Sequence, residues 1–164
     1  WQLTGIWRQS SGFPSSIDNG GNWPTDWQIT PLASQVGPSP VQQTTKNAPP
    51  AQSSGVGGPN VFPNPAAALA SYDYTLPGES GQRNGIRGDG YCTIDVGLAK
   101  KFTLFTVKDV PHTLQIRGEA FNVTNTVRFD VTSIIGLSAP ANFGKYSATL
   151  TSPRVMQFSA RYEF

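Results

Sequence analysis

The sequence has little cysteine, little charge and no long apolar run. Cys92 is the only cysteine among 164 residues, so an internal disulfide is impossible and no paired metal-site spacing is present. Charged residues make up 13% of the chain where about 25% is usual, and the net charge of +2 is dispersed, which argues against a nucleic-acid partner. No run approaches the roughly 18 apolar residues of a membrane helix. A helical membrane protein is therefore excluded, whereas a transmembrane barrel, whose strands only alternate, is not.

Proline and glycine are abundant but unevenly placed. The chain has 17 glycines and 14 prolines, and 11 of the prolines lie between Pro14 and Pro77. The residues able to bury a core are therefore mostly in the second half. Because the chain begins at Trp1 without a methionine or a charged and then apolar leader, we expect it to be a fragment of a larger protein.

The last twelve residues alternate with a period of two, which predicts a strand over 153–164. The apolar side carries Met156, Phe158, Ala160, Tyr162 and Phe164, and the polar side carries Gln157, Ser159, Arg161 and Glu163. A strand that closes its apolar side with a C-terminal aromatic is common in outer-membrane barrel proteins. The same pattern also fits the edge strand of a soluble sandwich.

Three further segments alternate in the same way and are predicted to be strands. They are 1–12, 91–106 and 112–129. In 91–106 the apolar side runs from Cys92 to Leu104 and is interrupted by Lys100, which could snorkel to an interface. A short turn, 107–111, joins the last two of these strands into a hairpin.

Two long irregular connections, 13–90 and 130–152, complete the chain. In the first, Asn64 as N-cap and Pro65 at the first helical position predict one or two turns of helix. Closely spaced glycines in 81–90 are expected to adopt positive φ where the chain bends into the next strand. Four aromatic residues of this connection either pack the loop or form a stacking surface for a ligand. They are Trp23, Trp27, Tyr72 and Tyr74.

The connections run long, short, long, and this order assigns a side to each end of the strands. In outer-membrane barrels the periplasmic turns are short and the extracellular loops are long. The order therefore places the two long connections outside, and the short turn and the C-terminus in the periplasm. Each strand offers roughly the 9 to 11 residues that a membrane strand needs. The predicted fold class is all-β, with antiparallel strands forming the C-terminal four-strand portion of a large transmembrane β-barrel and one very long irregular extracellular loop.

Aromatic residues near the strand ends favour this barrel over a sandwich, since alternation alone cannot separate the two. The outer ends carry Tyr91, Phe129, Phe143 and Tyr146, and the inner ends carry Phe102, Tyr162 and Phe164. Together they predict two interfacial girdles. Four strands have two open edges and cannot close. We therefore expect an open curved sheet, with a poorly ordered excursion over 14–90 and no closed, separately packed core.

The polar sides of the strands supply candidate lumen residues. Asp95, Arg117, Glu119 and Arg161 are expected to take part in charge pairing on the inner wall of the barrel. Cys92 and His112 lie at opposite ends of the hairpin, roughly 45 Å apart at about 3.3 Å per residue, so they cannot form a nucleophile and base. We expect no catalytic, metal-binding or cofactor-binding residues and no enzyme activity.

A succession of short motifs between Gly81 and Phe164 resembles one family. The motifs are Arg83-Asn84, Arg87-Gly88 with Gly90, Asp95 with Lys101-Phe102, Arg117 to Asn122 with Asn125 and Phe129, Phe143-Gly144, and Pro153-Arg154 with Gln157-Phe158. In this order and spacing they resemble the TonB-dependent outer-membrane receptors, in particular the Oar-like group. Asp89 stands where that group usually has proline, and Gly118 where it often has alanine.

The resemblance implies a barrel of about 22 strands around a plug, of which this chain supplies the last four. It also implies solute uptake across the outer membrane of a Gram-negative bacterium, with no cofactor and no nucleic acid. The implied partners are outer-membrane lipid, the rest of the barrel and its plug, the TonB complex through an upstream segment, and the barrel-assembly machinery. That machinery would recognise Phe164, with Tyr162 and Phe158 before it. A passive or adhesive outer-membrane barrel and a secreted β-sandwich binding module remain as alternatives.

Overall fold

A computed structural model describes residues 1–20, 32–43 and 59–164. These residues divide into two compact units, a sheet unit (1–10, 91–127 and 151–164) and a loop unit (11–90 and 128–150). The elements are β1 (Gln2–Ser10), β2 (Pro14–Ser15), β3 (Ser34–Gln35), α1 (Pro65–Leu69), β4 (Tyr72–Asp73), β5 (Ile86–Arg87), β6 (Tyr91–Val107), β7 (Val110–Phe121) and β8 (Val155–Glu163). Because the strands pair antiparallel and helix is nearly absent from these residues, the predicted all-β fold is confirmed.

The sheet unit is one antiparallel sheet of four strands in the order β1-β6-β7-β8. Among the residues that the structure describes, the outer strands β1 and β8 each pair on one side only, so the expected open sheet is confirmed for that part of the chain. β7 ends at Phe121, whereas the alternation predicted a strand over 112–129. Asn122 adopts a positive φ of 50° and turns the chain out of the sheet there. Alternation in sequence does not report such a change of backbone angle.

β6 and β7 form the predicted hairpin, but its turn is tighter than predicted. The strands pair as far as Val107 opposite Val110, which leaves Lys108 and Asp109 as a two-residue turn where 107–111 was expected. Both turn residues have positive φ, 49° and 64°, as in a type I′ turn whose twist matches that of the strands. Lys-Asp is not the Asn-Gly or Asp-Gly pair that indicates this turn in a sequence.

A β-bulge in β6 changes which residues share a face. The pairing shifts by one residue between Thr103 and Phe105, so Leu104 has no residue opposite it in β7. The alternation predicted Leu104 on the apolar side. Because of the bulge, Phe105 takes that side instead and stacks on His112, which lies opposite it, with 4.7 Å between the ring centroids.

The loop unit has a hydrophobic core of its own. The expectation of a poorly ordered excursion over 14–90 without a separate core is therefore wrong for its described residues, while 21–31 and 44–58 lie outside them. The buried core residues are Ile17, Ala33, Val61, Phe62, Ala68, Tyr72, Ile86, Val131, Ile134, Leu137, Phe143 and Tyr146. Two short strand pairs, β2 with β5 and β3 with β4, hold the backbone around them. The core residues are spaced too irregularly to give a period in the sequence.

The predicted short helix is confirmed. The Asn64 side chain accepts a hydrogen bond from the backbone N–H of Ala67 at 3.1 Å, and Pro65 takes the first helical position. Ala68 is the buried residue of α1 and belongs to the loop-unit core. Nowhere in residues 1–20, 32–43 and 59–164 is a helix long and apolar enough to cross a membrane.

The long connection and the shorter one after β7 meet inside the loop unit. The Asn60 side chain donates to the Phe143 carbonyl at 2.7 Å, and its oxygen accepts from the Phe62 N–H at 2.8 Å. The rings of Phe62 and Phe143 stack with 5.5 Å between centroids. Gly144 has a φ of 74°, and a Cβ there would lie 2.7 Å from the Phe62 ring. The two connections therefore form one folded body.

Candidate functional site

One face of the sheet is apolar along its length. Directly opposite residues in antiparallel strands point to the same face, so the register groups the side chains. This apolar face carries Leu3, Trp7, Ile94, Val96, Leu98, Phe102, Phe105, Leu114, Ile116, Met156, Phe158 and Tyr162. Several of these side chains are largely exposed, Phe158 to 75%. An exposed apolar surface of this extent marks a contact with a membrane or another protein.

The opposite face is polar and holds four ion pairs. They are Arg8–Asp95 at 2.8 Å, Lys101–Glu163 at 2.6 Å, Arg117–Glu119 at 2.5 Å and Arg161–Glu163 at 3.1 Å. The predicted lumen residues Asp95, Arg117, Glu119 and Arg161 all lie on this face and all belong to these pairs. In every pair the cation is the more exposed partner, with 47–75% of its side chain exposed against 14–36% for the carboxylate. The polar face therefore presents mainly positive charge.

The apolar face is about as tall as the apolar band of a membrane barrel. Ile94 near one end and Phe105 near the other are about 11 residues apart along β6, or roughly 36 Å at about 3.3 Å per residue. A strand tilt of about 40° reduces this to roughly 28 Å across the membrane. The apolar band of outer-membrane barrels is about 25 Å tall. β6 is therefore long enough to cross a membrane.

Aromatic side chains cluster on the apolar face at its turn end. His112 stacks on Phe105, and its ring centroid lies 5.8 Å from that of Tyr162 and 6.1 Å from that of Phe164. A hydrogen bond also joins Nδ1 of His112 to the Tyr162 hydroxyl. Phe102, Tyr162 and Phe164, which the sequence assigned to an inner girdle, lie at this end. Phe158, the other residue of the predicted assembly signal, lies further along the same face.

The predicted outer girdle is wrong. Phe143 and Tyr146 are buried in the loop-unit core, and Phe129 packs against that core with its ring 5.4 Å from that of Tyr146. Tyr91 lies on the polar face of the sheet. Burial raises the pKa of Tyr146 to about 12, and the Asp89 carboxylate adds to the shift. Phe143 and Tyr146 therefore fill a protein core, which their positions near strand ends did not indicate.

A contact that the sequence did not indicate closes the loop end of the sheet. One oxygen of Asp95 pairs with Arg8, and the other accepts the backbone N–H of Asn122 at 2.8 Å. The buried Asn122 side chain donates to the carbonyls of Thr126 and Ser152 at 3.1 and 2.8 Å. Asp95 and Asn122 thus join β1, β6 and the end of β7. In the sequence, the asparagine that follows Phe121 at the end of the alternating segment was the signal that could have indicated this contact.

The loop aromatics that the structure describes are packed against their own unit. Tyr72 is a core residue whose ring centroid lies 5.9 Å from that of Phe143, and burial raises its pKa. Tyr74 is partly buried against the same core. Both tyrosines therefore follow the packing alternative, not the ligand-stacking one. Trp23 and Trp27 lie outside the described residues.

The first motifs of the family resemblance form a turn, here called the motif turn, which consists of Arg83, Asn84, Arg87, Gly88 and Gly90. Arg87 and Gly88 of this turn hold two parts of the loop unit together. The Arg87 guanidinium donates to the Gly12 carbonyl at 2.9 Å, and the Arg87 backbone N–H donates to the Gln42 side chain at 2.9 Å. A Cβ on Gly88 would lie 2.7 Å from that of Val131, so glycine is needed there for close approach. The motif turn therefore positions neighbouring backbone.

The expectation that the closely spaced glycines of 81–90 adopt positive φ is wrong for most of them. Gly81 has a φ of 66°, but the closely spaced Gly85, Gly88 and Gly90 do not have positive φ. Asn84 takes the left-handed conformation instead, with a φ of 57°. The Gly90 carbonyl accepts from Arg128 at 3.0 Å, and Arg83 is exposed. A glycine is needed at position 88 because the Val131 side chain packs closely against its backbone, and not because of its backbone angle.

A four-stranded antiparallel sheet with one apolar face, one polar face and a membrane-spanning height defines a section of transmembrane β-barrel wall. The family model for the outer membrane beta barrel domain matches residues 1–157. The chain belongs to that family, which confirms the predicted outer-membrane barrel and outer-membrane location. No curated protein and no solved structure matches the chain. Among the described residues, no group of three or more His, Cys, Asp or Glu side chains could hold a metal ion.

Proposed function

We propose that this chain is the C-terminal wall of a TonB-dependent receptor that takes up a solute across the outer membrane. The observation that carries the proposal is the folded loop unit, in which two long connections share one core. A preformed outer body of this kind suits a receptor that recognises its solute before uptake. The motif succession from Gly81 to Phe164, with its resemblance to the Oar-like group, supports the same function.

In this proposal the apolar face contacts lipid and the polar face lines the lumen, next to a plug. A solute or plug surface passing this wall would meet the exposed cations of the four ion pairs. A shallow hollow on the polar face, lined by Thr4, Ile6, Asp95, Arg117 and Glu119, provides one place of contact. Charged groups that line a lumen select what passes by its charge.

The decisive experiment measures binding of the isolated periplasmic domain of TonB to the full-length protein in detergent micelles. Saturable binding is expected, because energised uptake requires TonB to contact a segment upstream of this wall. A second barrel without a plug serves as the negative control. Absence of binding would refute the receptor function. It would favour the second candidate, a passive or adhesive outer-membrane barrel, in which the folded loop unit is itself the contact surface.

We also propose that the Lys108–Asp109 turn and the C-terminus lie in the periplasm, because short turns are periplasmic in these barrels. The test uses single cysteines in a Cys92→Ser background of the full-length protein. Val41→Cys lies at an exposed site of the loop unit, and Asp109→Cys lies in the turn. A membrane-impermeant maleimide should label Val41→Cys in intact cells and Asp109→Cys only after the outer membrane is permeabilised. The reverse pattern would overturn this orientation.

Phe164, with Tyr162 and Phe158, is proposed as the signal for the barrel-assembly machinery. All three residues share the apolar face, and Phe164 packs against His112 at its turn end. Deleting Phe164 from the full-length protein should reduce its insertion into the outer membrane, measured by fractionation. Met156→Ala, a truncation on the same strand and face, is the control. Unchanged insertion after deletion would remove this role from Phe164.

A further inference from the structure

The shallow hollow on the polar face is lined by two apolar side chains that break the alternation of their strands. Ile6 lies opposite Asp95 in the register, and Phe121 ends β7 two residues after Glu119, so both side chains fall on the polar face. Both are exposed, and both line the hollow. A ligand in the hollow would therefore meet apolar groups and charged groups within the same small site.

The floor of the hollow is open because Gly97 has no side chain. Gly97 lies opposite Thr4 of β1 and Glu119 of β7. A Cβ there would lie 2.6 Å from the Thr4 hydroxyl oxygen and 3.6 Å from Cγ of Glu119, within the space that a ligand would use. The hollow has a volume of about 250 Å³, below the roughly 300 Å³ of the smallest pockets for drug-sized molecules, so it accommodates one ring-sized unit of a ligand.

The charged groups of the hollow are already paired. Arg117 pairs with Glu119 at 2.5 Å, and Asp95 pairs with Arg8 at 2.8 Å. An anionic ligand would lie beside two carboxylates, and a cationic ligand would compete with the two arginines. An uncharged ligand leaves both pairs intact and uses the lone pairs and N–H groups that the pairs leave over. The hollow therefore suits an uncharged ligand, unlike the rest of the polar face, which presents mainly positive charge.

The hydroxyl groups of a sugar ring match these partners. Each hydroxyl donates one hydrogen bond and accepts others, so neighbouring hydroxyls can donate to Glu119 while they accept from Arg117. The C–H groups on a face of the same ring can pack against Phe121 and Ile6. A sugar ring thus has both kinds of surface within one unit of the size that the hollow takes.

We propose that this hollow binds one ring of an uncharged oligosaccharide. Glu119 accepts hydrogen bonds from its hydroxyl groups, Arg117 donates to them, and Phe121 packs against a face of the ring. The assignment of the oligosaccharide as the solute that is taken up rests on the receptor function proposed above. The binding site itself rests only on the geometry of the hollow.

The test measures binding of neutral oligosaccharides to the full-length protein in micelles of a detergent without a sugar headgroup. Fluorescently labelled protein is first applied to an array of neutral oligosaccharides, and titration calorimetry with the strongest ligand then compares the parent with Arg117→Met and Arg161→Met. Arg161 is a matched control, because it also pairs with a glutamate two residues further along its strand, on the same face but outside the hollow. Losing one charge-assisted hydrogen bond should weaken binding about tenfold in Arg117→Met, and Arg161→Met should bind like the parent.

The apolar part of the site has its own pair of variants. Phe121→Ala removes the ring from the hollow and should also weaken binding. Val155→Ala truncates an exposed side chain directly opposite Phe121 but outside the hollow, so it should leave binding unchanged. Because the ligand is uncharged, its affinity should stay constant between about 0.05 and 0.5 M salt. Heat-modifiable migration on gels checks that each variant is folded.

Absence of binding to every member of the array would overturn the site, as would an equal loss in Arg117→Met and Arg161→Met. Tighter binding of trigalacturonate than of any neutral oligosaccharide would overturn the uncharged class. Binding of a tetraalanine peptide that depends on Arg117, in place of saccharide binding, would show a peptide site instead. TonB binding is measured separately. Saccharide binding without TonB binding would keep this site in a passive barrel, whereas TonB binding without saccharide binding would refute the site and leave the receptor function.

Discussion

The sheet unit and the loop unit treat their apolar side chains in opposite ways. Among the described residues of the sheet unit, Ala99 is the only buried hydrophobic residue, whereas Trp7 and Phe158 are largely exposed. In the loop unit, Phe62 and Phe143 are about 1% exposed and stack on each other. One unit therefore turns its large apolar residues outward, and the other buries them.

The difference shows that the two units suit different solvents. The loop unit follows the usual rule of water-exposed domains, in which burial of apolar surface stabilises by roughly 25 cal/mol per Å². The apolar side chains of the sheet are not buried by protein, so in water their exposure would be unfavourable. The sheet unit is stabilised instead when the hydrocarbon of a membrane covers its apolar face. Within the sheet, stability also comes from backbone pairing, because a strand in lipid must satisfy its polar groups internally. Truncating a core side chain should therefore destabilise the loop unit, and adding a charge to the apolar face should destabilise the sheet unit in a membrane.

The largest effect is expected from removing the central ring of the loop-unit core. Phe143→Ala should destabilise the loop unit by about 3–5 kcal/mol, because it leaves a cavity beside Phe62 and Tyr72. Hydrogen exchange on the full-length protein in micelles should show faster exchange in the loop unit and unchanged exchange in β6 and β7. Phe158→Ala, the same truncation on the apolar face, should leave the loop unit protected. Equal loss of protection in both units would mean that they do not fold independently.

A charge on the apolar face should have the next largest effect, and it should act only in a bilayer. Leu98→Arg, at mid-height on that face, should destabilise the protein by about 2–4 kcal/mol. Gln157→Arg is the control, because it lies on the polar face opposite Glu119 and should change little. Urea unfolding of the full-length protein in phospholipid vesicles measures both. If the two substitutions were equally tolerated, the apolar face would not contact lipid.

Breaking the contact between the two long connections should destabilise the loop unit less than removing the Phe143 ring does. Asn60→Ala removes the partner of two backbone groups, the Phe143 carbonyl and the Phe62 N–H, and should destabilise the loop unit by about 1–3 kcal/mol. The side chain of the exposed Asn142 accepts a hydrogen bond from the Lys145 ammonium at 3.0 Å, its single side-chain bond among the described residues, so Asn142→Ala should have nearly no effect. Limited proteolysis in the described loop segments should distinguish the two variants. Equal resistance would show that Asn60 does not join the connections.

The smallest effect is a loss of loop-unit stability at high pH. Tyr146 has a pKa of about 12 in the folded protein against 10.0 for an ordinary tyrosine, so the folded state keeps its proton where the unfolded state releases it. Stability should be unaffected below pH 10 and should fall as the pH rises from 10 toward 12. The loss should be about 1 kcal/mol at pH 11. The urea midpoint, followed by near-ultraviolet circular dichroism at pH 9 and 11, checks this, and Tyr146→Phe should reduce the difference.

The sheet was predictable from sequence because its side chains alternate on a fixed pleat. The pattern in 153–164 and 91–106 identified two strands and placed Asp95 and Arg161 on the face opposite Phe158. The cap of α1 was predictable for a similar reason, since Asn64 and Pro65 act within one turn of chain. The bulge at Leu104 and the turn at Lys108–Asp109 were not predictable, because each depends on backbone angles that these residue types do not require. A bulge of one residue is enough to move Phe105 to the other face.

The loop-unit core could not be predicted because its members come from two connections that are distant in sequence. Phe62 and Phe143 meet only after Asn60 bonds across to the second connection. For the same reason, Phe143 and Tyr146 were assigned to a girdle that does not exist. Local patterns carry no information about a partner that is some 80 residues away along the chain.

The sequence by itself determined the strands, their two faces and the short helix, because these depend on neighbours within a few residues. It also excluded a membrane helix and an internal disulfide. The tertiary structure decided three further features: the extra residue in β6, the left-handed turn residues, and the burial of loop aromatics in a separate core. It also separated Lys100 from Lys101, one between two rings and the other paired with a carboxylate. Those differences depend on strand register and on contacts between distant segments, which a fold sets and a local pattern does not.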